Sequence, residues 1–167
     1  MKAEKSRNPE NLTRGSLRCQ TYPPLHILVV DDDSYICELN AEVLRRHGYE
    51  VNIARDGEAG WEELQTNCYH LLITENDLPG LTGVGLVKKL RSACMPLPVV
   101  MIIGTLPNWE SPQYSWLLKA NKLLKPYGFD ELLGMVTKVL DETASARAEI
   151  PAAPTWQTYP QAIRFRL

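Results

Sequence analysis

The chain has 167 residues, of which 44% are hydrophobic, and 18 basic and 20 acidic residues give it a formal net charge of -2. Its length and composition fit one domain with an ordinary core, and the near balance of charge gives no general reason to bind nucleic acid or an anionic membrane. The four cysteines form no C-x-x-C pair, which excludes the usual zinc and redox motifs. No apolar run approaches the length of a membrane span or of a signal-peptide core, so we expect a cytoplasmic protein with reduced thiols.

The two ends of the chain differ in composition from its middle. Residues 1–24 are rich in charge and proline, and residues 143–167 contain three prolines with scattered aromatic residues. Such composition rarely forms a packed element of its own. We therefore predict a flexible leader over 1–24, a domain over 25–142 and a flexible tail over 143–167.

Within the domain, short apolar runs alternate with helical patterns. The first strand is predicted over 26–30, and Ser34 is the predicted N-cap of a helix that stops at His47 and Gly48, while Asp33 is interpreted as a loop acid. The other predicted elements are a strand over 49–54, a helix capped by Asp56, a strand over 70–75, a helix capped by Thr82, a strand over 97–103, a helix from Ser111 to about 119, a strand over 121–125 and a helix over 128–141. This alternation predicts a parallel sheet that is covered by helices on both faces.

Three of these strands end in charged residues. Asp31 and Asp32 follow the first strand, Glu75 ends the third, and Lys125 ends the fifth. Ligands of such sheets bind beyond the carboxyl ends of the strands, so these side chains should meet in one pocket. Three acids and a lysine indicate a small site for a phosphoryl group and a metal ion.

At this point the chain resembles the receiver domain of two-component response regulators, over about residues 25–141. Three motifs carry the resemblance, each at a predicted strand end: Ile27-Leu28-Val29-Val30-Asp31-Asp32-Asp33, Leu71-Leu72-Ile73-Thr74-Glu75-Asn76-Asp77-Leu78-Pro79-Gly80-Leu81-Thr82-Gly83, and Lys122-Leu123-Leu124-Lys125-Pro126. The resemblance implies a doubly wound five-stranded parallel sheet of the flavodoxin-like (receiver) fold, with strand order 2-1-3-4-5.

The family's chemistry is phosphoryl transfer from a histidine kinase to an aspartate at the end of the third strand. The resemblance implies a Mg²⁺ site formed by Asp31, Asp32, the side chain at position 75 and the backbone carbonyl of Asp77. It also implies that Lys125 pairs with the phosphoryl group, and that the peptide bond between Lys125 and Pro126 is often cis.

The chain departs from the family at three positions. The acceptor position holds Glu75 in place of aspartate, the switch hydroxyl position holds Ile103, and the aromatic switch position holds Lys122. The extra methylene of glutamate moves its carboxylate by about 1.5 Å, roughly one carbon–carbon bond, and a displacement of about 1 Å can cost about a hundredfold in rate. Ile103 has no group that could hydrogen-bond to a phosphoryl group.

The leading hypothesis is a single-domain receiver-like module that signals by protein–protein interaction without phosphorylation, and that is not an enzyme. The alternative is a working phosphoacceptor that takes a phosphoryl group on Glu75 with Mg²⁺. A Mg²⁺-dependent hydrolase of the phospho-aspartate type lacks both an aspartyl nucleophile and a capping insertion. The expected partner is a histidine kinase or another signalling protein, bound through the face of the fourth predicted helix, the fifth strand and the last helix. A homodimer is a further possibility. No direct binding to nucleic acid or to a membrane is expected.

Overall fold

The fold is a five-stranded parallel sheet with helices on both faces, seen in a computed structural model that describes residues 24–104 and 120–148. The strand order is β2-β1-β3-β4-β5, which confirms the predicted fold class. In chain order the strands are β1 His26–Val30, β2 Glu50–Ala54, β3 Leu71–Glu75, β4 Val99–Ile103 and β5 Asn121–Leu124. Every pair of neighbouring strands is parallel.

The helices between these strands are α1 Ser34–Arg46, α2 Gly57–Thr66, α3 Gly83–Ser92 and α4 Phe129–Ala148. One predicted cap was wrong: Ser34 is the first residue of α1, and the N-cap is Asp33, whose side chain accepts hydrogen bonds from the backbone N–H groups of Tyr35 and Ile36. A carboxylate accepts such bonds readily, because it is charged and the helix N-terminus is electropositive. Asp33 is therefore a capping residue as well as a loop acid.

The two faces of the sheet bury separate cores because side chains of a strand alternate between its faces. On one face, α1 and α4 pack over Ile27, Val29, Ile73, Val100 and Ile102. On the other face, Leu28, Val30 and Leu72 pack with residues of α2 and α3. The central strand β3 is buried along its whole length, as expected for a strand with helices on both sides.

The last helix extends beyond its predicted end. It was predicted to stop at about residue 141, but α4 continues to Ala148. Residues 142–148 contain neither glycine nor proline and include the strong helix former alanine at three positions, so nothing in this stretch stops the helix. The predicted tail from 143 consequently begins as helix.

The predicted helix over 111–119 lies outside the described residues, as do most of the predicted leader and tail. Within the described ranges, no helix combines the length and the apolar character that crossing a bilayer requires.

Candidate functional site

The charged residues predicted to meet do lie together at the carboxyl ends of the strands. Asp31 directly follows β1, Glu75 is the last residue of β3, and Lys125 directly follows β5. β1 pairs with β3, and β4 lies between β3 and β5. Residues far apart in sequence therefore converge at one edge of the sheet.

The lysine already contacts two of the acids. Lys125 Nζ lies 2.6 Å from Glu75 Oε1 and 3.8 Å from Asp31 Oδ2. One carboxylate oxygen from each of Asp31, Asp32 and Glu75 can be chosen so that all three lie within 4.8 Å of one another. Three carboxylates and one ammonium leave a local charge of about -2 when all are ionised.

Asp31 is the most deeply buried of these acids, with no exposed surface. Its Oδ1 accepts a hydrogen bond from the Asp33 backbone N–H at 2.9 Å, whereas its Oδ2 has no hydrogen-bond partner within residues 24–104 and 120–148. Burial raises the pKa of Asp31 from 3.8 to about 6, and the neighbouring charge of Glu75 adds to this increase, although the Asp33 N–H and the charge of Lys125 oppose it. Asp31 therefore takes up a proton near pH 6, well above the pH at which an ordinary aspartate does.

Lys125, the basic residue of the site, is held in its charged form. Burial lowers the pKa of its ammonium, but the hydrogen bond to Glu75 and the charges of Asp31 and Glu75 outweigh burial, so the net pKa is raised. Tyr127, two residues further on, has a pKa raised by burial and by the same two acids, although its hydrogen bond with Asn40 opposes the shift. The field of the acids thus extends into the segment after β5.

Glu75 is fixed by its backbone neighbours. Residue 75 is paired in register with Ile102, and the N–H of Asn76 donates to the Ile102 carbonyl at 3.0 Å. On its other side, a Cβ added to Gly83 would lie 2.0 Å from the Glu75 carbonyl oxygen. Any residue larger than glycine at position 83 would push α3 away from the end of β3, so Gly83 sets how closely the two elements approach.

The two switch positions are occupied by residues of another chemical type. Ile103 ends β4, is 1% exposed, and packs with Val84, Val87 and Met101 between the sheet and α3. It adds an apolar side chain at the edge where the acids meet. Lys122 is half-buried on β5, paired in register with Met101. Their interpretation as a lost switch stays a prediction.

Two further features of the site region bear on the sequence predictions. The peptide bond between Lys125 and Pro126 is cis, as the resemblance implied. Asp77 is exposed, and its side chain accepts from Asn76 Nδ2 at 2.8 Å; the predicted role of its carbonyl as a metal ligand stays a prediction. Sequence reasoning missed the hydrogen bond from Asn40 Nδ2 to the Tyr127 hydroxyl, 2.9 Å long, which joins α1 to the segment after β5. An asparagine inside an otherwise apolar helix face was its only signal.

The donor set fits a hard divalent cation. Carboxylate oxygens are the ligands that Mg²⁺ prefers, and the local charge of about -2 would be balanced by one such ion. The buried Oδ2 of Asp31 also lacks a hydrogen-bond partner in the part of the chain that the structure describes. Asp31, Asp32 and Glu75 are the side chains that would hold it. A bound Mg²⁺ would supply charge neutralisation to a phosphoryl group at this edge of the sheet.

Comparison with known proteins identifies the family. The model of the response regulator receiver domain matches residues 27–137. The chain belongs to this family. The match begins at the second residue of β1, contains β2 to β5 and ends inside α4.

The curated relatives are longer proteins. The chain is 27% identical over 124 residues to the transcriptional regulatory protein DltR of Streptococcus agalactiae serotype III, a match that covers 74% of this chain and 55% of that protein. It is 27% identical over 137 residues to the transcriptional regulatory protein ZraR of Escherichia coli K12, covering 82% of this chain and 31% of that protein. The chain thus matches about half or less of these relatives.

Solved structures match nearly over their whole length. A CheY-like receiver domain protein from Methanospirillum hungatei is 26% identical with a TM-score of 0.68, covering 74% of this chain and 98% of that one. The chemotaxis response regulator CheY4 of Vibrio cholerae is 28% identical with a TM-score of 0.62, covering 70% of this chain and 98% of that one. Receiver domains of this kind are signalling modules of two-component systems, and they interact with histidine kinases and other signalling proteins.

Proposed function

We propose that this receiver domain signals by binding a protein partner without being phosphorylated. The observation that carries the proposal is the 2.6 Å contact between Lys125 Nζ and Glu75 Oε1. The acceptor position already supplies the negative charge with which the lysine of a receiver pairs after phosphorylation. A charge-assisted hydrogen bond of this length is among the stronger contacts a protein makes.

The residue at the hydroxyl position supports the same proposal. Ile103 cannot donate a hydrogen bond to a phosphoryl group, and its side chain is already buried against α3. Moving it toward the acids would replace apolar contacts by contacts with charge, which costs free energy. The permanent pair of Glu75 and Lys125 is therefore expected to hold the domain in one state.

The test is intact mass measurement after incubation with Mg²⁺ and a small acyl phosphate donor. The unsubstituted chain is expected to gain no phosphoryl group. The matched control is Glu75→Asp, which restores the family acceptor beside the retained Asp31, Asp32 and Lys125 and is expected to gain one. Stable addition of one phosphoryl group to Glu75 in the unsubstituted chain would contradict the proposal.

The second candidate function, a working phosphoacceptor, is favoured by one observation. Asp31, Asp32 and Glu75 bring three carboxylate oxygens within 4.8 Å of one another, as a Mg²⁺-assisted transfer to Glu75 would require. Transfer of labelled phosphoryl from a cognate histidine kinase, and its loss in Glu75→Gln, would support this function. The backbone carbonyl of Asp77 is the proposed fourth protein ligand.

The proposed partner is a histidine kinase or another signalling protein in the cytoplasm, with a second copy of the chain as the other candidate. The proposed face includes β5 and α4. Leu124 supports it, because this residue is 48% exposed and is paired in register with Ile103. Since α4 reaches Ala148, the proposed domain extends from residue 25 to the end of this helix, with the remaining residues as flanks.

A further inference from the structure

An apolar groove opens beside the acid cluster, between the start of α1 and the segment that joins β5 to α4. Its volume is about 500 Å³, and it is lined by Ile36, Leu39, Asn40, Lys125, Pro126, Tyr127 and Phe129. The hydrogen bond between Asn40 and Tyr127 joins its two walls. Grooves of this size commonly hold apolar side chains or small ligands.

Aromatic side chains are exposed at the groove. Phe129, in its lining, is 45% exposed, and Tyr35, the neighbour of Ile36 in α1, is 72% exposed. Apolar surface gathered at a concave site is a typical mark of a docking surface. Both aromatic residues lie on elements that the hydrophobic core holds in place.

Exposed acidic residues adjoin the groove lining in sequence, and we refer to them as its rim. Residues 32–36 and 126–131 contain four acids, Asp32, Asp33, Asp130 and Glu131, and no lysine or arginine. Lys125, in the lining, is already paired with Glu75. An occupant that combines apolar and basic side chains would therefore fit both the lining and the rim.

The chain itself carries such a segment. The residues Ile163-Arg164-Phe165-Arg166-Leu167 alternate apolar and basic side chains, and residues 150–167 contain no acid. In an extended conformation this alternation places the three apolar side chains on one side and the two arginines on the other. We propose that residues 163–167 dock into this groove within the same molecule, with Phe165 in the apolar lining and the two arginines at the acidic rim.

The length of chain permits this docking. The groove lies beside Phe129, the first of 20 residues of α4, so the chain leaving Ala148 must return over about 30 Å. Fifteen residues separate position 148 from 163, and an extended chain with prolines covers about 46 Å over that number. Trp156, eight residues after Ala148, reaches at most about 29 Å. Of these two aromatic residues, Phe165 can therefore reach the groove and Trp156 cannot.

Docking at this place has a consequence for the acid cluster. The groove contains Lys125 in its lining, so the docked segment covers one side of the site that Lys125 shares with Glu75 and Asp31. A partner that approaches the cluster over α1 would have to displace it. This inference is independent of the proposed function, because it does not depend on whether Glu75 accepts a phosphoryl group.

The experiment compares amide NMR spectra of the full chain with those of Phe165→Ala and of the matched control Trp156→Ala. Removing the Phe165 ring should lower the ratio of docked to undocked molecules at least about tenfold, because an aromatic side chain dominates the buried apolar surface. We therefore expect Phe165→Ala to shift the amide signals of Ile36, Leu39, Asn40 and Phe129. Trp156→Ala should leave these four signals in place.

A reciprocal variant completes the test. Phe129→Ala removes an exposed wall of the groove, and it should shift the amide signals of residues 163–167. The spectra should also be unchanged on tenfold dilution. Unchanged groove signals in Phe165→Ala would overturn the proposal, and so would shifts that vanish on dilution, because these would identify a second copy of the chain as the occupant.

Discussion

The polar groups at the two ends of the sheet differ in their exposure to water and in their hydrogen bonding. At the amino end, the backbone N–H of His26 donates to His70 Nδ1 at 3.0 Å. The side-chain Nε2 of His26 pairs with Glu50 in an exposed position. At the carboxyl end, Asp31 is completely buried, and among the described residues its Oδ2 has no hydrogen-bond partner. The amino end thus pairs its polar groups close to water, whereas the carboxyl end buries the carboxyl group of Asp31 away from water.

A second cluster near the amino end strengthens the contrast. The hydroxyl of Tyr69 donates to Glu63 Oε2 at 2.5 Å, and Asn52 and Asn67 donate to the same oxygen or to Tyr69. Such a network stabilises the fold through the bonds it completes. The buried acids of the carboxyl end are instead expected to cost stability, as groups retained for function often do. Unfolding measurements on variants at each end of the sheet test this difference.

We expect the largest effect on stability from removing the ammonium group of Lys125 at the carboxyl end. Lys125→Ala would leave the buried Glu75 and Asp31 without their counter-charge, and breaking a buried pair in this way costs about 3 kcal/mol of unfolding free energy. The measurement is urea unfolding at pH 7 with a chelator present. The matched control is Lys138→Ala, because Lys138 pairs with Glu142 at 3.9 Å on the surface, where a pair is worth at most about 1 kcal/mol. Equal stability of the two variants would contradict the contrast.

The second largest effect is a gain in stability rather than a loss. Asp31→Asn keeps an acceptor for the Asp33 N–H but removes the buried charge, so it should raise the unfolding free energy at pH 7 by about 1 to 3 kcal/mol, since each pKa unit corresponds to about 1.4 kcal/mol. The pKa of Asp31 is raised in the fold from 3.8 to about 6, so the folded state retains the proton longer than the unfolded chain. The contribution of Asp31 to stability is therefore greatest below about pH 4 and is lost as the pH rises through about 6.

Unfolding across this pH range, without metal, checks the prediction for Asp31. The unsubstituted chain should lose stability relative to Asp31→Asn between about pH 4 and 6 and then show a constant difference. The matched control is Asp32→Asn, because Asp32 is exposed and its change should stay within about 0.5 kcal/mol. A pH-independent difference between the chain and Asp31→Asn would show that burial does not disfavour this charge.

At the other end of the sheet, Tyr69→Phe removes one hydrogen bond and should cost about 1 kcal/mol at pH 7. The bond from Tyr69 lowers the pKa of Glu63 below its usual value, with the two asparagines adding to this effect. Its contribution is therefore present at neutral pH and is lost as the pH falls through the acidic range. The variant should also raise the pKa of Glu63 in an NMR titration. Tyr35→Phe is the matched control, because Tyr35 is 72% exposed, and an equal loss there would contradict the role of the network.

Much of this architecture could be predicted from the sequence, because local signals and the global fold agree. The apolar runs of β1 and β3 end in acids, and parallel strands bring those ends together, so the meeting of Asp31 and Glu75 followed from topology alone. Gly48 was expected to end α1, and it adopts a φ of 88° one residue after the C-cap His47.

The two incorrect predictions concern the N-cap of α1 and the end of α4. Both Asp33 and Ser34 are good N-caps, and only the backbone path after β1 decides between them. The end of α4 was missed because the residues from 143 were judged as a tail by composition, although neither glycine nor proline lies between residue 141 and Pro151. The contact of Lys125 with Glu75 could be anticipated, but the unsatisfied oxygen of Asp31 depends on side-chain positions that no sequence pattern specifies.

The smallest expected effect concerns Glu50→Gln at the amino end. His26 and Glu50 form an ion pair in which both side chains are about half exposed, 46% and 56%. The unfolding free energy should therefore change by less than about 0.5 kcal/mol. The change should shrink further in 1 M salt, because salt screens exposed charges. Glu62→Gln, an exposed acid of α2, is the matched control. A loss of several kcal/mol in Glu50→Gln would mean that the amino end depends on charge as strongly as the carboxyl end, and the difference between the two ends would disappear.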